Sequence, residues 1–427
     1  MSFREPNGAV MTNMKPKGGA SIEAPSLRGL QGRYATGLNG QAAKEEVSTL
    51  WREGWMPENI SGVSGREKCF SLDIPFYRTS DPEYPPVGTR SSPRTCDHRL
   101  GQERGRILGM GKENPVLVLA SGYDPQFAML NELPHTVCGE VAACAHAAKD
   151  ATVILLWSGT RELLRELFGT CGKVRWIHSR AAGLDNLLFP ELVESQILLT
   201  NGRGVFSASL GEFVLAAILY FAKDFRRMVR NQMASVWEPF DVQEIGGQTV
   251  GILGYGDIGR AVASRVHAMS MRVLATKRHI PGSTDPLVDH FYKPEERREM
   301  IALCDYIVAT APLTEETRHM ISHAEFAVMK PTAVVINVGR GPVIDEAALL
   351  RALTAKRIKG AGLDVFEHEP LPTGHLLYKL ENVLLSPHCA DHTADWQDQA
   401  MRFFLKQYGR FEKGEPLNNL VNKRLGY

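Results

Sequence analysis

From Pro115 onward, the sequence alternates short, uninterrupted apolar runs with stretches of helical periodicity. A strand that is apolar at every position is buried on both faces, as happens when helices cover both sides of a parallel sheet. Four such runs come first and six more follow, at residues 116–119, 153–156, 174–177, 197–200, 249–253, 271–275, 306–309, 333–336, 360–364 and 382–385. This alternation predicts an α/β fold with two doubly wound parallel sheets, one after the other along the chain.

Two helices can be placed between these strands, and a third after the last of them. Apolar residues at helical spacing predict a helix that begins after Ser207 or Ser209, either of which could cap it. A second helix is expected to run to about Ala268, and a third covers residues 394–413. Residues 1–112 instead scatter Gly, Pro, Ser and charged residues with little periodicity, which predicts an irregular N-terminal extension, partly disordered or a loosely packed cover.

The charge balance and the apolar runs exclude several classes of partner. Lys and Arg together number 49 against 48 for Asp and Glu, so we expect no basic surface for nucleic acid and no membrane association. No apolar run reaches the roughly 18 to 20 residues that cross a bilayer. Scattered basic residues near the N-terminus leave an organelle transit peptide open, although Glu5 and Glu23 argue against one.

The cysteines bear on the cellular compartment. Seven cysteines are present and none forms a CxxC pair. An odd number without that spacing favours a reducing compartment, so we expect a cytoplasmic protein with no structural disulfide. We expect no metal site.

A glycine motif, Gly254-Tyr255-Gly256-Asp257-Ile258-Gly259, lies between a predicted strand and a predicted helix. In that position the first glycine permits a tight turn and the second lets a pyrophosphate approach the backbone. The third allows close packing of helix and strand, and the helix start offers free N–H groups. The motif therefore predicts a dinucleotide site, against the simpler reading of a structural turn.

The end of the next predicted strand distinguishes between the two nicotinamide cofactors. An NAD site usually has Asp or Glu there, about 20 residues after the glycines, to accept hydrogen bonds from the ribose. This chain has Thr276-Lys277-Arg278 instead. Lys277 and Arg278 have no acceptor atoms but can bind a 2′-phosphate. NADP(H) is therefore favoured, with NAD(H) held by other groups as the alternative.

Three further motifs follow the last three predicted strands. Asn337-Val338-Gly339-Arg340-Gly341 comes first, Gly362-Leu363-Asp364-Val365-Phe366-Glu367-His368-Glu369-Pro370 second and Ser386-Pro387-His388-Cys389-Ala390 third. The carboxyl ends of parallel strands meet at one edge of a sheet. Arg340, Glu369 and His388 are therefore expected to converge near the glycine motif.

In this order, these motifs resemble the D-isomer-specific 2-hydroxyacid dehydrogenase family over residues 115–420. The segment Trp176-Ile177-His178-Ser179-Arg180-Ala181-Ala182-Gly183-Leu184-Asp185 belongs to the likeness, and the Lys277-Arg278 ending is similar to the NADPH-preferring glyoxylate and hydroxypyruvate reductases. The resemblance implies a dinucleotide-binding domain at 209–393, inserted into a substrate or catalytic domain at 113–208 and 394–427. It also implies a homodimer.

The residue types suit reduction of a small 2-keto acid to its D-2-hydroxy acid. The nicotinamide carries the hydride, so the protein orients the keto acid and handles one proton. Arg340 can pair with the substrate carboxylate and polarise the keto group. His388 can donate the proton, and Glu369 would orient the imidazole and favour its charged form, with Glu367 as a competitor for that role.

The resemblance adds further expected contacts. Backbone amides of Ala182 and Gly183 would bind the substrate carboxylate together with Arg340. The residues expected to bind the cofactor are Gly254, Tyr255, Gly256, Asp257, Ile258, Gly259, Lys277, Arg278, Ala311, Pro312, Thr317, Val338, Gly339, Arg340, Asp364, His388 and Ala390.

Two other functions stay open at this point. Some transcriptional corepressors resemble the same family, so an NAD(P)-sensing binding protein on this fold is the main alternative. Formate or phosphoglycerate oxidation with NAD would fit the fold but would fit Lys277 poorly.

Overall fold

The computed structural model describes residues 116–427, apart from residues 132, 159, 160, 186, 281 and 283. The expectation for residues 1–112, an extension that is partly disordered or a cover, therefore lies outside the described residues. Within the described part of the chain, no helix is both long and apolar enough to cross a membrane.

Five parallel strands form the first sheet, in the order β2-β1-β3-β4-β5. They are β1 (Val116–Leu119), β2 (His135–Cys138), β3 (Val153–Leu156), β4 (Trp176–Ser179) and β5 (Leu198–Asn201). The four runs expected from the sequence are all strands, although β4 and β5 begin one or two residues later than expected. The sequence pattern did not predict β2, because this edge strand has the mixed sequence HTVC and is only partly buried.

Seven parallel strands form the second sheet, in the order β12-β11-β10-β9-β6-β7-β8. They are β6 (Thr249–Leu253), β7 (Arg272–Thr276), β8 (His290–Tyr292), β9 (Tyr306–Ala309), β10 (Val334–Asn337), β11 (Gly360–Leu363) and β12 (Val383–Leu385). All six expected strands are present, with ends that differ by at most one residue. The unexpected strand, β8, is again a short and partly exposed edge strand.

Ten α-helices connect and cover the sheets in the described part of the chain. They are α1 (Val141–Asp150), α2 (Arg161–Phe168), α3 (Pro190–Glu194), α4 (Ser207–Lys223), α5 (Phe225–Met233), α6 (Asp257–Ala268), α7 (Arg297–Leu303), α8 (His323–Val328), α9 (Glu346–Thr354) and α10 (Trp396–Glu412). Short 3-10 helices occupy Pro125–Leu130, Pro294–Glu296, Gly341–Val343 and Leu376–Lys379.

The start of α4 corrects one expectation. Neither Ser207 nor Ser209 caps the helix, since the N-cap is Phe206 and no side chain caps it. Ser207 lies in the first turn, and the Ser209 hydroxyl donates a hydrogen bond to the carbonyl of Ala390, 2.6 Å away. Ser209, one of the two expected caps, therefore links α4 to the loop after β12.

The last helix, α10, returns to the first sheet. Phe404 of α10 stacks on Trp176 of β4 with ring centroids 5.5 Å apart, and both side chains are fully buried. Apolar residues cover both faces of each sheet, which accounts for their uninterrupted apolar strands. The second sheet is thus inserted between the first sheet and its final helix, as expected. The domain boundaries at 113–208, 209–393 and 394–427 stay a prediction.

The cysteine expectation was wrong at one place. Cys138, at the end of β2, is paired in a disulfide with Cys144 of α1, and their Cα atoms are 5.7 Å apart. The chain turns after β2 and re-enters a helix at once, so two cysteines six positions apart come face to face. Neither an odd number of cysteines nor the lack of a CxxC pair excludes such a local bridge.

In each sheet the strand order reverses once, and the carboxyl ends of the strands at that point border a crevice. In the second sheet the reversal lies between β6 and β9. In the first sheet it lies between β1 and β3. The site residues predicted from the sequence follow the carboxyl ends of strands in both sheets.

Candidate active site

The glycine turn after β6 has the geometry that a dinucleotide needs. Gly254 has φ +97°, and a Cβ atom there would be 2.7 Å from the Cα of Ala311. Only glycine fits both the left-handed backbone and this close approach. Helix α6 begins after Gly256 without a side-chain cap, so its first N–H groups remain available to an anion. These residues fit a pyrophosphate.

At the end of β7, two basic residues differ in their surroundings. The ammonium nitrogen of Lys277 lies 5.4 Å from the centroid of the Tyr255 ring. The Tyr255 hydroxyl donates to Asp285 over 2.9 Å, and burial is the main reason that the pKa of this tyrosine is raised. Arg278 pairs with Glu316 over 2.7 Å and contacts the hydroxyl of Tyr427.

The catalytic histidine predicted from the sequence contacts the predicted glutamate. Oε2 of Glu369 lies 2.6 Å from Nδ1 of His388, and Oε1 of Glu369 accepts a hydrogen bond from the Phe366 amide over 2.9 Å. Because Nδ1 is engaged, Nε2 is the ring nitrogen left to face a ligand. Glu367, the competitor for this role, instead lies 2.8 Å from His319.

A buried carboxylate fixes the loop that carries His388. One oxygen of Asp364 accepts hydrogen bonds from the Ser386 hydroxyl at 2.6 Å and from the amides of Cys389 and Ala390 at 3.0 and 3.1 Å. Asp364 is 1% exposed. The backbone N–H of His388, whose φ is +52°, donates to the Asp364 carbonyl over 2.9 Å. These hydrogen bonds therefore fix the backbone turn that carries the imidazole.

Arg340 reaches from the second sheet to the first. Its Nε donates to Asp185 over 3.0 Å and its Nη1 to the Gly339 carbonyl over 2.9 Å. The Asn337 side chain holds the turn by donating to the Arg340 carbonyl, 2.9 Å away. A Cβ atom at Gly183 would overlap Nη2 of Arg340, so the guanidinium packs directly on this backbone.

The backbone at Gly183 can supply donors next to that guanidinium. The amide N–H groups of Ala182 and Gly183 donate to no other described residue, while the Ala182 carbonyl accepts from the Asn201 side chain over 2.6 Å. Two free amides beside a guanidinium make a suitable carboxylate site. The structure thus brings the three predicted substrate-binding residues together.

Three cavities meet around Arg340 and Gly183. One, of about 600 Å³, is also lined by Glu369 and His388. The second and third, of about 220 Å³ each, are lined by predicted residues, which are Ala182, Ile258, Val338, Asp364 and His388 in one and Ala182, Gly256, Asp257, Ile258, Ala311, Pro312 and Gly339 in the other. The catalytic three and most cofactor residues therefore surround one cleft.

The remaining predicted cofactor residues do not line these three cavities. Three of them, Gly254, Tyr255 and Gly259, belong to the glycine motif after β6. Two others, Lys277 and Arg278, lie at the end of β7. The Thr317 hydroxyl donates to the Pro312 carbonyl over 2.6 Å, so it holds the loop after β9. Ala390 is held by Asp364 and Ser209.

Comparison with known proteins gives the family of this chain. The sequence profile of the D-isomer specific 2-hydroxyacid dehydrogenase NAD binding domain matches residues 215–390. The chain is 35% identical over 282 residues to a glyoxylate reductase of Korarchaeum cryptofilum, which covers 65% of this chain and 83% of that protein. The chain belongs to the D-isomer-specific 2-hydroxyacid dehydrogenase family. Its oxidoreductase class and its nicotinamide cofactor follow at the level of the family.

Solved structures of family members share the fold. A D-isomer specific 2-hydroxyacid dehydrogenase from Xanthobacter autotrophicus, in complex with NADPH and MES, matches with a TM-score of 0.63 at 27% identity and covers 74% of this chain and all of its own. A family member from Aeromonas salmonicida gives the same TM-score and identity over 73% of this chain.

Sequence reasoning missed two features of this dehydrogenase's cleft. Asp185 pairs with Arg340 although the two are 155 positions apart, and only its place two residues after Gly183 hinted at a role. Arg203, in the loop after β5, pairs with Asp257 at the start of α6 over 3.0 Å. Nothing in the sequence indicated this second pair.

Proposed function

We propose that this chain reduces a small 2-keto acid of the glyoxylate or hydroxypyruvate type to the D-2-hydroxy acid, with NADPH as the preferred cofactor. The convergence of Arg340 and the His388–Glu369 pair on one cleft with the glycine turn carries the proposal. The relatives named glyoxylate reductase support the substrate class.

Each catalytic residue has a defined task in this proposal. The cofactor supplies the hydride to the keto carbon. Arg340 and the amides of Ala182 and Gly183 bind the substrate carboxylate, which leaves the keto oxygen toward His388. Nε2 of His388 donates a proton to that oxygen as negative charge develops, and it accepts the proton back in the reverse direction. Glu369 holds the ring through Nδ1, stabilising the imidazolium.

The preference for NADPH is supported by the end of β7. Lys277 makes no hydrogen bond or ion pair with any described residue, so its ammonium is available for a 2′-phosphate. Arg278 is already ion-paired with Glu316, so a 2′-phosphate would have to compete with Glu316 for its guanidinium. The related Xanthobacter structure contains NADPH.

A homodimer is part of the proposal. Helix α5 and the segment after it expose large apolar side chains, which are Phe225, Met228, Val229, Met233, Val236 and Trp237, the last of them 98% exposed. Such a patch is typical of an interaction surface. Sedimentation velocity should give about twice the mass of one chain, and replacing Trp237 by Ser should shift the protein toward monomer.

A cytoplasmic location also stays a proposal.

Loss of absorbance at 340 nm tests the activity directly. The enzyme should oxidise NADPH in the presence of glyoxylate or hydroxypyruvate, and a chiral assay should find the D-product from hydroxypyruvate. NADH should support a lower kcat/KM. If a panel of 2-keto acids gave no turnover with either cofactor, the proposal would be wrong and a nucleotide-sensing binding role would be favoured.

A further inference from the structure

A second guanidinium besides that of Arg340 lies in the wall of the cleft. Arg180 directly follows β4, and its Cζ lies 4.9 Å from the centroid of the Trp157 ring and 4.6 Å from that of Trp396. Trp157 directly follows β3, and Trp396 begins α10. The side chain of Arg180 is thus flanked by indole rings, which restrict its orientation.

The N–H groups of this guanidinium have no acceptor in the described part of the chain. Among the described residues, none accepts a hydrogen bond from the Arg180 side chain or lies in an ion pair with it. Asp124 and Asp391 are near enough to raise its pKa, but burial lowers it more, and the net effect is a lowered pKa. An arginine nevertheless stays charged at neutral pH. A half-buried cation with free donors therefore faces the cleft.

The first of these two carboxylates is already satisfied by other donors. Asp124 accepts hydrogen bonds from the indole N–H of Trp157 at 2.7 Å, from the side chain of Gln397 at 2.9 Å and from the amide of Gln126 at 3.1 Å. Asp391 lies 3.7 Å from His392. Neither carboxylate forms an ion pair with Arg180, although both contribute to its electrostatic environment.

The position of Arg180 relates it to the substrate. It lines the cavity of about 600 Å³ together with Arg340, His388 and Gly183, and it also lines one of the smaller cavities that contain the same three residues. The larger cavity is further lined by Arg161, whose Nε is buried and has no hydrogen-bond partner among the described residues.

The size of this cavity is informative. Glyoxylate has five non-hydrogen atoms and displaces roughly the volume of three or four water molecules, about 100 Å³. The larger cavity therefore has room for a longer keto acid, whose far end would lie against a wall that includes Arg180 and Arg161.

We propose that Arg180 binds a second carboxylate of the substrate, so that short 2-keto dicarboxylates are preferred over monocarboxylates of the same length. This inference rests on the proposed function, because it assumes that Arg340 holds the carboxylate next to the keto group. A guanidinium with its faces on aromatic rings and its edges free is suited to bidentate carboxylate binding.

The test compares keto acids that differ only at the far end. Oxaloacetate is matched with 2-oxobutyrate, and 2-oxoglutarate with 2-oxovalerate, since each pair exchanges a carboxylate for a methyl group. We expect the wild type to favour at least one dicarboxylate by about 10- to 100-fold in kcat/KM, the usual size of a charge-assisted hydrogen bond. Equal or lower values for both dicarboxylates would overturn the proposal.

Variants then assign the preference to Arg180. Arg180→Met keeps the apolar stem between the rings but removes the donors, and it should abolish the preference while changing kcat/KM for glyoxylate less than about threefold. Arg180→Lys should retain part of it. An equal loss for mono- and dicarboxylates would mean that Arg180 only shapes the cleft, and the assignment would be wrong.

Arg175 offers a matched control. Its Cζ lies 5.4 Å from the ring centroid of Phe411, so it also lies over an aromatic ring of α10, but it does not line the cleft. Arg175→Met should leave every substrate ratio unchanged. If the wild type reduced no keto acid at all, the proposed function would fail separately. Calorimetric binding of 2-oxoglutarate, compared between the wild type and Arg180→Met, would still decide whether Arg180 binds a second carboxylate.

Discussion

The two sheet edges that border the cleft are built differently. On the side of the seven-stranded sheet, Glu369 and Asp364 hold the reactive loop through four hydrogen bonds to side chains and amides. On the side of the five-stranded sheet, no described residue accepts a hydrogen bond from the amides of Ala182 and Gly183 or from the guanidinium of Arg180. The first edge is fixed for chemistry, while the second keeps its donors for the substrate.

This difference has a physical basis. Proton transfer requires a donor held in one orientation, so its supporting groups must be satisfied by the protein. Recognition of a charged substrate requires donors that the protein does not already use. Substitutions of the groups that hold His388 at the first edge should therefore affect every substrate alike, whereas substitution of Arg180 at the second edge should change the preference among substrates.

The largest expected effect concerns the imidazole at the first edge. Replacing His388 by Gln should lower kcat for every keto acid by about 10²- to 10⁴-fold, because the proton donor is lost. The Kd for the cofactor, measured by fluorescence titration, should change much less than kcat. A loss confined to one substrate would contradict the division between the two edges.

The buried histidine of β4, in the five-stranded sheet, should affect stability rather than catalysis. His178 is 1% exposed, and burial lowers its pKa to about 3. Its folded-state pKa lies below the ordinary value of about 6.5, so below pH 6.5 the unfolded chain binds a proton that the folded chain does not. This group should therefore lower the unfolding free energy as pH falls from 6.5 toward 3, by up to about 1.4 kcal/mol per pH unit.

Urea unfolding at several pH values measures this slope. In His178→Gln the contribution of this residue disappears, although the bond to the Thr200 hydroxyl, now 2.8 Å from the imidazole, changes as well. If His178→Gln kept the wild-type slope, the buried imidazole would not be the cause.

The cofactor side is tested by Lys277. Lys277→Met should lower kcat/KM for NADPH by about 10- to 100-fold, since one charge-assisted contact to the 2′-phosphate is lost. The value for NADH should stay within about threefold. An equal loss for both cofactors would indicate that Lys277 only supports the Tyr255 ring, and an NADH preference in the wild type would refute the proposed cofactor.

The smallest expected effect concerns the ion pair that joins the two edges. Asp185→Asn removes the charge that holds Nε of Arg340. We expect about a three- to tenfold rise in KM for glyoxylate with a smaller change in kcat, since the pair is partly exposed and Arg340 keeps its contact with the Gly339 carbonyl. A loss of kcat comparable to that of His388→Gln would instead place Asp185 among the groups needed for proton transfer.

The first edge could be predicted from the sequence in far more detail than the second. Arg340, Glu369 and His388 stand in short motifs that follow three neighbouring strands with apolar runs, β10, β11 and β12, and strand topology alone brings such positions together. Asp185, Trp157 and Trp396 act through partners many positions away, so no local pattern reveals their contacts. Edge strands β2 and β8 were missed because partly exposed strands lack an apolar run. The disulfide between Cys138 and Cys144 was missed because it depends on the turn between β2 and α1, which the spacing of cysteines does not reveal.

The pairs Arg340–Asp185 and Arg203–Asp257 both tie one lobe of the molecule to the other across solvent-accessible space. Dissolved ions weaken charge pairs of this kind. Salt added to an assay, or brought in as the counter-ion of a doubly charged substrate, should weaken both ion pairs. Mono- and dianionic compounds must be compared at equal ionic strength, or the buffer itself will imitate selectivity.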